Sequence, residues 1–186
     1  IAYSLNDDTD KALDALQNGI SVITQESSPE LVSDFYSIMG DLMHQKGMNK
    51  EAYAAYDSCL QWKPDNIGCL NNYAYFLSED GKHLEKAEEM SYKTVQAEPE
   101  NPTYLDTYAW ILFVQKRYSE AKVYIDQALK HDKDTVSGVI IEHAGDIYAM
   151  NGDKEKALEL WKKAAEREPD NKILARKIKL KKYIKE

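Results

Sequence analysis

The chain has 186 residues, of which 43% are hydrophobic and 30% charged, a balance typical of a globular helical protein. Five prolines and eight glycines are too few for a disordered or collagen-like chain, and no apolar run of about 18 residues predicts a membrane span. The net charge of −8 is uneven, because residues 172–186 carry seven Lys or Arg and one acidic residue. The acidic remainder argues against a nucleic-acid-binding surface over most of the chain.

The first 27 residues predict the end of one helix followed by a second helix. Asp7-Asp8-Thr9-Asp10 is a cluster of N-capping residues, which predicts a helix start at that point. A polar linker follows at residues 25–28. Ser28-Pro29 then predicts a new helix, with Ser as the cap and Pro at the first helical position. Asn101-Pro102 has the same form and predicts another start.

Residues 33–66 set a pattern that recurs three more times at spacings of 34 to 36 residues. A small residue lies in each first helix, at Gly40, Ala74, Ala109 and Gly145. A large residue precedes each of them by four positions, at Tyr36, Leu70, Leu105 and Ile141. An alanine lies in each second helix, at Ala52, Ala87, Ala121 and Ala157. The small residue allows the paired helix to approach, the large one fills the gap beside it, and Pro64, Pro99 and Pro169 end three of the second helices.

This order and spacing resemble the tetratricopeptide repeat, a helix–turn–helix unit of about 34 residues. The resemblance covers about residues 9–171 and implies an all-α fold, a right-handed α-solenoid with a C-terminal capping helix. It divides the chain into a truncated N-terminal repeat at 1–27, four units at 28–66, 67–101, 102–137 and 138–169, and a basic capping helix at 170–186. Small insertions are expected within residues 78–84 and around residues 132–137.

The resemblance also indicates an origin and a location. Residues 70–75 and 105–110 look like the corresponding stretches of bacterial tetratricopeptide-repeat proteins. Many of those are exported or tied to the cell envelope, which favours the envelope or the periplasm, with the cytoplasm as the alternative. Because the chain opens without an initiator methionine, we expect it to be part of a longer bacterial protein.

In this family the first helices line a concave groove, which implies a set of binding residues. Carried onto this chain, the groove residues are Asp41, Asn71, Asn72, Tyr75, Asp106, Trp110, Phe113, Glu142 and Asp146. An aromatic floor with an acidic rim suits a peptide or protein that carries apolar anchors and basic residues. The alternative for Trp110 and Phe113 is packing against the next repeat. Some family members hold an acidic peptide terminus with basic groove residues. The corresponding positions of this chain carry no cations, which disfavours that mode of binding.

No phosphate loop, dinucleotide fingerprint or nucleophile elbow occurs, so we predict no catalytic residue and no cofactor. Glu142-His143-x-x-Asp146 and Asp41-x-x-His44 place a carboxylate and an imidazole on one helix face, as a partial metal site or acid/base pair would. Solvated surface is the favoured interpretation, and no metal is predicted. Cys59 and Cys69 are interpreted as buried thiols without a disulfide, and Trp161 as a core residue.

The function that these patterns favour is a non-catalytic scaffold that binds a peptide or protein segment in its concave groove. Two alternatives remain. The basic helix predicted at Lys172–Lys185 could tether the protein to an anionic surface. The chain could also recruit the substrate of an enzyme whose catalytic part lies elsewhere in a longer protein.

Overall fold

The computed structural model describes residues 2–131 and 137–185, and every regular element in these two ranges is an α-helix. The elements, in chain order, are α1 (Ala2–Ser21), α2 (Pro29–Gln45), α3 (Asn49–Trp62), α4 (Ile67–Glu79), α5 (Leu84–Ala97), α6 (Pro102–Val114), α7 (Tyr118–His131), α8 (Gly138–Met150), α9 (Lys154–Arg167) and α10 (Lys172–Leu180). The chain forms two compact units, Ile1–Tyr73 and Ala74–Glu186. The boundary between them falls inside α4.

The helix starts at Ser28 and Asn101 are confirmed, but the one at Asp7–Asp10 is wrong. The side chain of Ser28 accepts a hydrogen bond from the Leu31 amide, and the side chain of Asn101 accepts from the Thr103 and Tyr104 amides. Helix α1 instead runs through Asp7–Asp10 without a break. A capping residue stabilises a helix only where the chain enters it from a non-helical conformation, and inside α1 the side chains of Asp8 and Asp10 are solvent-exposed.

In the first unit, α2 and α3 pack closely through a glycine. Gly40 lies against the ring of Tyr56, and a Cβ atom at position 40 would come within 2.5 Å of that ring. Tyr56 is fully buried, and its hydroxyl donates a hydrogen bond of 2.6 Å to Asp41. The small residue of the repeat pattern therefore leaves the space that the ring of Tyr56 fills.

In the second unit, Gly145 on α8 and Trp161 on α9 repeat the arrangement. The indole of Trp161 is 1% exposed and lies directly on Gly145. Its Nε1 donates a hydrogen bond of 2.9 Å to the carboxylate of Asp146. The prediction that Trp161 is a core residue is confirmed. The alanines predicted in the second helices are also fully buried, at Ala52, Ala87, Ala121 and Ala157.

The C-terminal helix covers the second unit but is shorter than predicted. Helix α10 ends at Leu180, and Lys181 caps it in the left-handed conformation with φ of 51°. The fully buried Leu174 anchors the helix to the core of the second unit. Residues 181–185 turn away from the helix axis, so the helix predicted to Lys185 is wrong over its last turn. The insertion expected around residues 132–137 lies mostly outside the described residues.

Candidate functional site

A cavity of about 340 Å³ lies in the second unit, between the first helices of the predicted repeats and the C-terminal segment. We call it the groove pocket. Its walls come from α4, α6, α8 and α10, from the turn before α10, and from residues 183–185. The lining residues are Tyr75, Ser78, Glu79, Trp110, Val114, Val139, Glu142, His143, Asp146, Glu168, Asn171, Lys177, Tyr183, Ile184 and Lys185.

Trp110 forms an aromatic wall of the groove pocket and is held on three sides. Its ring stacks on His143, with centroids 3.9 Å apart and planes 14° apart. It also stacks on Phe113 at 4.8 Å. Its Nε1 donates a hydrogen bond of 2.7 Å to Glu79. Trp110 is half-buried and presents part of its ring to the pocket, so both interpretations of Trp110 apply at once.

Phe113 does not reach the groove pocket. It is 5% exposed and belongs to the core cluster of the second unit, where its ring packs against Trp110, Tyr118 and Tyr183. The expectation of a groove position for Phe113 is therefore wrong. An apolar ring in the last turn of a first helix is buried when the following helix and the C-terminal segment both pack against it.

The expected acidic rim is instead a set of buried, paired carboxylates. Lys177 is 3% exposed, and its Nζ donates to Glu142 at 2.6 Å and to Asp146 at 2.7 Å. Asp106 contacts Nδ1 of His143 at 3.0 Å. Buried carboxylates need a cation or donors to offset their desolvation, and here the protein supplies them itself.

The solvated surface expected for Glu142, His143 and Asp146 is therefore wrong. All three side chains are buried, with 7%, 6% and 1% of their surface exposed. They lie on the face of α8 that Asp106 of α6 and Lys177 of α10 cover. The i, i+4 and i+1 spacing of these residues does not distinguish a wet helix face from one covered by neighbouring helices.

Burial and neighbouring charges raise the pKa values of two groups at the pocket floor, His143 and Asp146. Burial disfavours the imidazolium of His143, but the carboxylate of Asp106, helped by Asp146 and Glu79, outweighs it and raises the pKa of His143 above 6.5. Burial raises the pKa of Asp146 to about 6, although the nearby Lys177 ammonium opposes the shift. These carboxylates thus favour the charged form of the imidazole more than water does.

Two acidic side chains at the pocket edge keep contact with solvent. Glu79 is exposed and accepts the Trp110 indole proton on one oxygen. Glu168 is half-buried and accepts from the side chain of Asn171. Because Glu142 and Asp146 are buried and both paired with Lys177, Glu79 and Glu168 are the carboxylates of the pocket that remain in contact with solvent.

Three predicted groove residues belong to the first unit and do not line the groove pocket. The carboxylate of Asp41 accepts from the Tyr56 hydroxyl at 2.6 Å and from Asn72 Nδ2 at 3.1 Å. Asn71 is 6% exposed and donates to Asn72 Oδ1 at 3.2 Å. Within the described part of the chain, the buried Oδ1 of Asn71 has no hydrogen-bond partner. The structure thus brings together Tyr75, Trp110, Glu142 and Asp146, with Asp106 behind them.

Sequence reasoning missed the structural roles of His143, Lys177 and Tyr183. Lys177 had a usable signal, because it interrupts the apolar face formed by Leu174 and Ile178. A lysine on an apolar face indicates a carboxylate partner in the element that it covers. Tyr183 had no such signal, since the helical pattern continues past Leu180.

Within the described residues, neither a metal-binding cluster nor a membrane-spanning helix is found. Among residues 2–131 and 137–185, no three His, Cys, Asp or Glu side chains gather in a way that could hold a metal ion. None of the helices in these ranges combines the length and hydropathy of a membrane span.

Comparisons with known proteins agree with this architecture. Residues 33–66 match the family model described as tetratricopeptide repeat. A TPR repeat-containing protein of Pseudomonas aeruginosa is 28% identical over 137 residues, which are 72% of this chain and 22% of that protein. The chain thus spans about a fifth of the length of this curated relative.

Two solved structures share the fold across almost the whole chain. PilW, described as a widely conserved type IV pilus biogenesis factor, superposes with a TM-score of 0.77 at 16% identity, covering 97% of this chain and 81% of PilW. YrrB, described as a TPR protein with an unusual peptide-binding site, gives a TM-score of 0.66 at 21% identity, covering 95% of this chain and 86% of YrrB. At these identities the likeness is one of fold.

Proposed function

Because the chain carries a tetratricopeptide repeat and has the fold of tetratricopeptide-repeat proteins, we propose that it is a non-catalytic scaffold that binds a peptide or protein segment in the groove pocket. This fold generally serves protein–protein interaction, and YrrB, which shares it, has a peptide-binding site. The observation that carries the proposal is the pocket itself. It combines the aromatic Trp110 and Tyr75 with the apolar Val114 and Val139 in a cavity open to solvent.

The chemistry of the pocket supports a partner with an apolar side chain next to a basic one. Val139 lies at the pocket wall and is 42% exposed. Covering its apolar surface with a partner side chain would contribute favourable free energy to binding. Glu79 and Glu168 line the same pocket and would face a Lys or Arg of the partner. The apolar anchor would supply affinity, while the two carboxylates would select the charge of the neighbouring residue.

A matched pair of substitutions tests this proposal. Val139→Lys places a charge in the pocket wall, whereas Val123→Lys makes the same change on α7, where Val123 is 56% exposed and outside the pocket. Peptides selected from a random phage-displayed library against the intact chain are expected to be rich in apolar residues and Lys or Arg. Val139→Lys should weaken their binding at least about tenfold, which corresponds to about 1.4 kcal/mol, and Val123→Lys less than about twofold.

The readouts are affinities by isothermal titration and thermal melting of each variant. Equal melting temperatures would show that the loss at Val139 is a loss of binding. Failure to select any peptide, or equal affinities for the two variants, would contradict the groove pocket as the binding site.

A second candidate function rests on the exposed cations of the C-terminal region. Leu174 and Ile178 pack into the core, so α10 exposes little apolar surface apart from Leu180, which is 50% exposed. The exposed cations of α10 and of the residues that follow it are Lys172, Arg176, Lys179, Lys181, Lys182 and Lys185. An electrostatic tether would then bind vesicles of anionic lipid at low salt and lose them at high salt. No co-sedimentation with such vesicles at low salt would eliminate this candidate.

A further inference from the structure

The chain turns back on itself immediately after α10. The amides of Lys181 and Lys182 both donate to the carbonyl of Lys177, and Lys181 adopts φ of 51°. This left-handed cap directs residues 181–185 toward the groove pocket instead of continuing the helix into solvent. We call Lys181–Lys185 the strap.

The strap puts three side chains against the groove pocket. The ring of Tyr183 packs edge-on against Phe113, with centroids 5.2 Å apart and planes 84° apart. Lys177 Nζ lies 5.6 Å from the centre of the same ring. Tyr183, Ile184 and Lys185 line the pocket together with Trp110 and Val139. An aromatic, an aliphatic and a basic residue thus already occupy one wall of the cavity.

We propose that the strap is a replaceable occupant of the groove pocket and that the partner segment has the same chemistry, an aromatic and an aliphatic residue next to a Lys or Arg. The partner displaces Tyr183 and Ile184 from their places in the pocket when it binds. The statement about the partner rests on the proposed function, because it specifies the class of segment that would bind in the pocket.

The geometry of the strap is consistent with a contact that opens. Tyr183 and Ile184 are half-buried, whereas Leu174 in α10 is fully buried, so the strap covers less apolar surface than the helix that carries it. A positive φ is unfavourable for a residue other than glycine, which lowers the cost of releasing the turn at Lys181. As a tethered segment, the strap competes at an effective concentration on the order of millimolar.

The test uses a synthetic peptide with the sequence of the strap, acetyl-Lys-Lys-Tyr-Ile-Lys-amide, titrated into the isotopically labelled intact chain and followed by NMR. In the opened variant, Tyr183→Ser with Ile184→Ser, the peptide should bind at least about fivefold more tightly than in the unchanged chain, because the competing strap is gone. Adding Val139→Lys to the opened variant should weaken the peptide at least tenfold. A peptide with Ser in place of Tyr is the matched control and should bind more weakly.

Equal affinity of the peptide for the opened variant and the unchanged chain would overturn the inference, as would no binding to the opened variant. Ile184→Ser alone provides a second variant if the double substitution disturbs folding, and it should give a smaller gain in the same direction. If library-selected peptides bind but the strap peptide does not, the inference fails and the proposed function stands. If the strap peptide binds the opened variant in a Val139-dependent way but no library peptide is selected, the proposed function fails and the strap–pocket contact stands.

Discussion

At the scale of single residues, His143 couples the pocket floor to pH. Its imidazole is buried between the ring of Trp110 and the carboxylate of Asp106. The raised pKa means that the folded chain holds a proton that the unfolded chain releases near pH 6.5. This contribution to stability is fully present below pH 6.5 and is lost as the pH rises through the raised pKa of the folded state.

We therefore predict that His143→Asn costs about 2 kcal/mol of unfolding free energy at about pH 5.5, as expected for a hydrogen bond to a charged group, and less at about pH 9. Urea denaturation at the two pH values measures the difference. Asp146, whose pKa burial raises to about 6, faces the same imidazole, so the substitution also removes the charge that lowers the pKa of Asp146. His83→Asn is the control, because His83 is exposed and Asn tolerates its positive φ. A cost at His143 that does not change with pH would contradict a charged imidazole.

Individual residues differ in how well the sequence predicts them. Gly40 and Trp161 were predictable, because a small residue and a large one recur at fixed positions of the repeat, and the structure packs Gly40 on Tyr56 and Trp161 on Gly145. Phe113 and His143 were not, since each is buried in part by a residue far away along the chain, Tyr183 for Phe113 and Asp106 for His143. Helix periodicity locates a face but does not tell what covers it.

At the scale of elements, α10 is attached to the second unit by an apolar and an ionic contact. Leu174 supplies the first and Lys177 the second, through Glu142 and Asp146 of α8. A buried ion pair is costly to form, but removing one partner leaves the others buried without compensation. The lysine therefore fixes the position of α10 on α8 more than it adds to net stability.

We predict that Lys177→Met destabilises the chain by about 3–5 kcal/mol, because Glu142 and Asp146 then remain buried without their cation. Lys179→Met, two residues along the same helix and exposed, should change the unfolding free energy by less than about 0.5 kcal/mol. Urea denaturation measures both changes, and amide hydrogen exchange in α10 shows whether that helix loses protection first. Similar small effects of the two substitutions would mean that Lys177 contributes no more than a surface lysine.

The elements themselves were largely predictable, apart from their ends. Ser28 and Asn101 begin helices as their side chains indicate, since each is followed by a proline that fits the first turn. The end of α10 was not predictable, because lysine carries no signal for the left-handed conformation that Lys181 adopts. Just beyond that turn, Tyr183 packs on Phe113, a contact between distant parts of the sequence that periodicity does not reveal.

At the scale of the whole molecule, the first compact unit carries its own reporter of unfolding. Trp161 lies in the core of the second unit, while Cys59 and Cys69 are both fully buried in the first and are free thiols. The Sγ of Cys59 lies 3.2 Å from the hydroxyl of Ser33. A hydrogen bond with the Cys59 thiol, together with burial, raises the pKa of Cys69. The same hydrogen bond lowers the pKa of Cys59, so it is burial that protects both thiols until their surroundings open.

We predict that a disulfide reagent labels the two cysteines of the folded chain at least about a thousandfold more slowly than those of the urea-unfolded chain, since opening a unit costs several kcal/mol. The labelling rate should rise with urea, and the ratio of the two rates gives the free energy of opening of the first unit. Cys59→Ala and Cys69→Ala separate the two sites, and both single-thiol proteins should report the same opening event. Because stability in a repeat protein is approximately a sum over units and their interfaces, this free energy should lie at or below the value obtained from the loss of helicity of the whole chain. Rapid labelling of either thiol in the absence of urea would contradict the burial of that residue in the first unit.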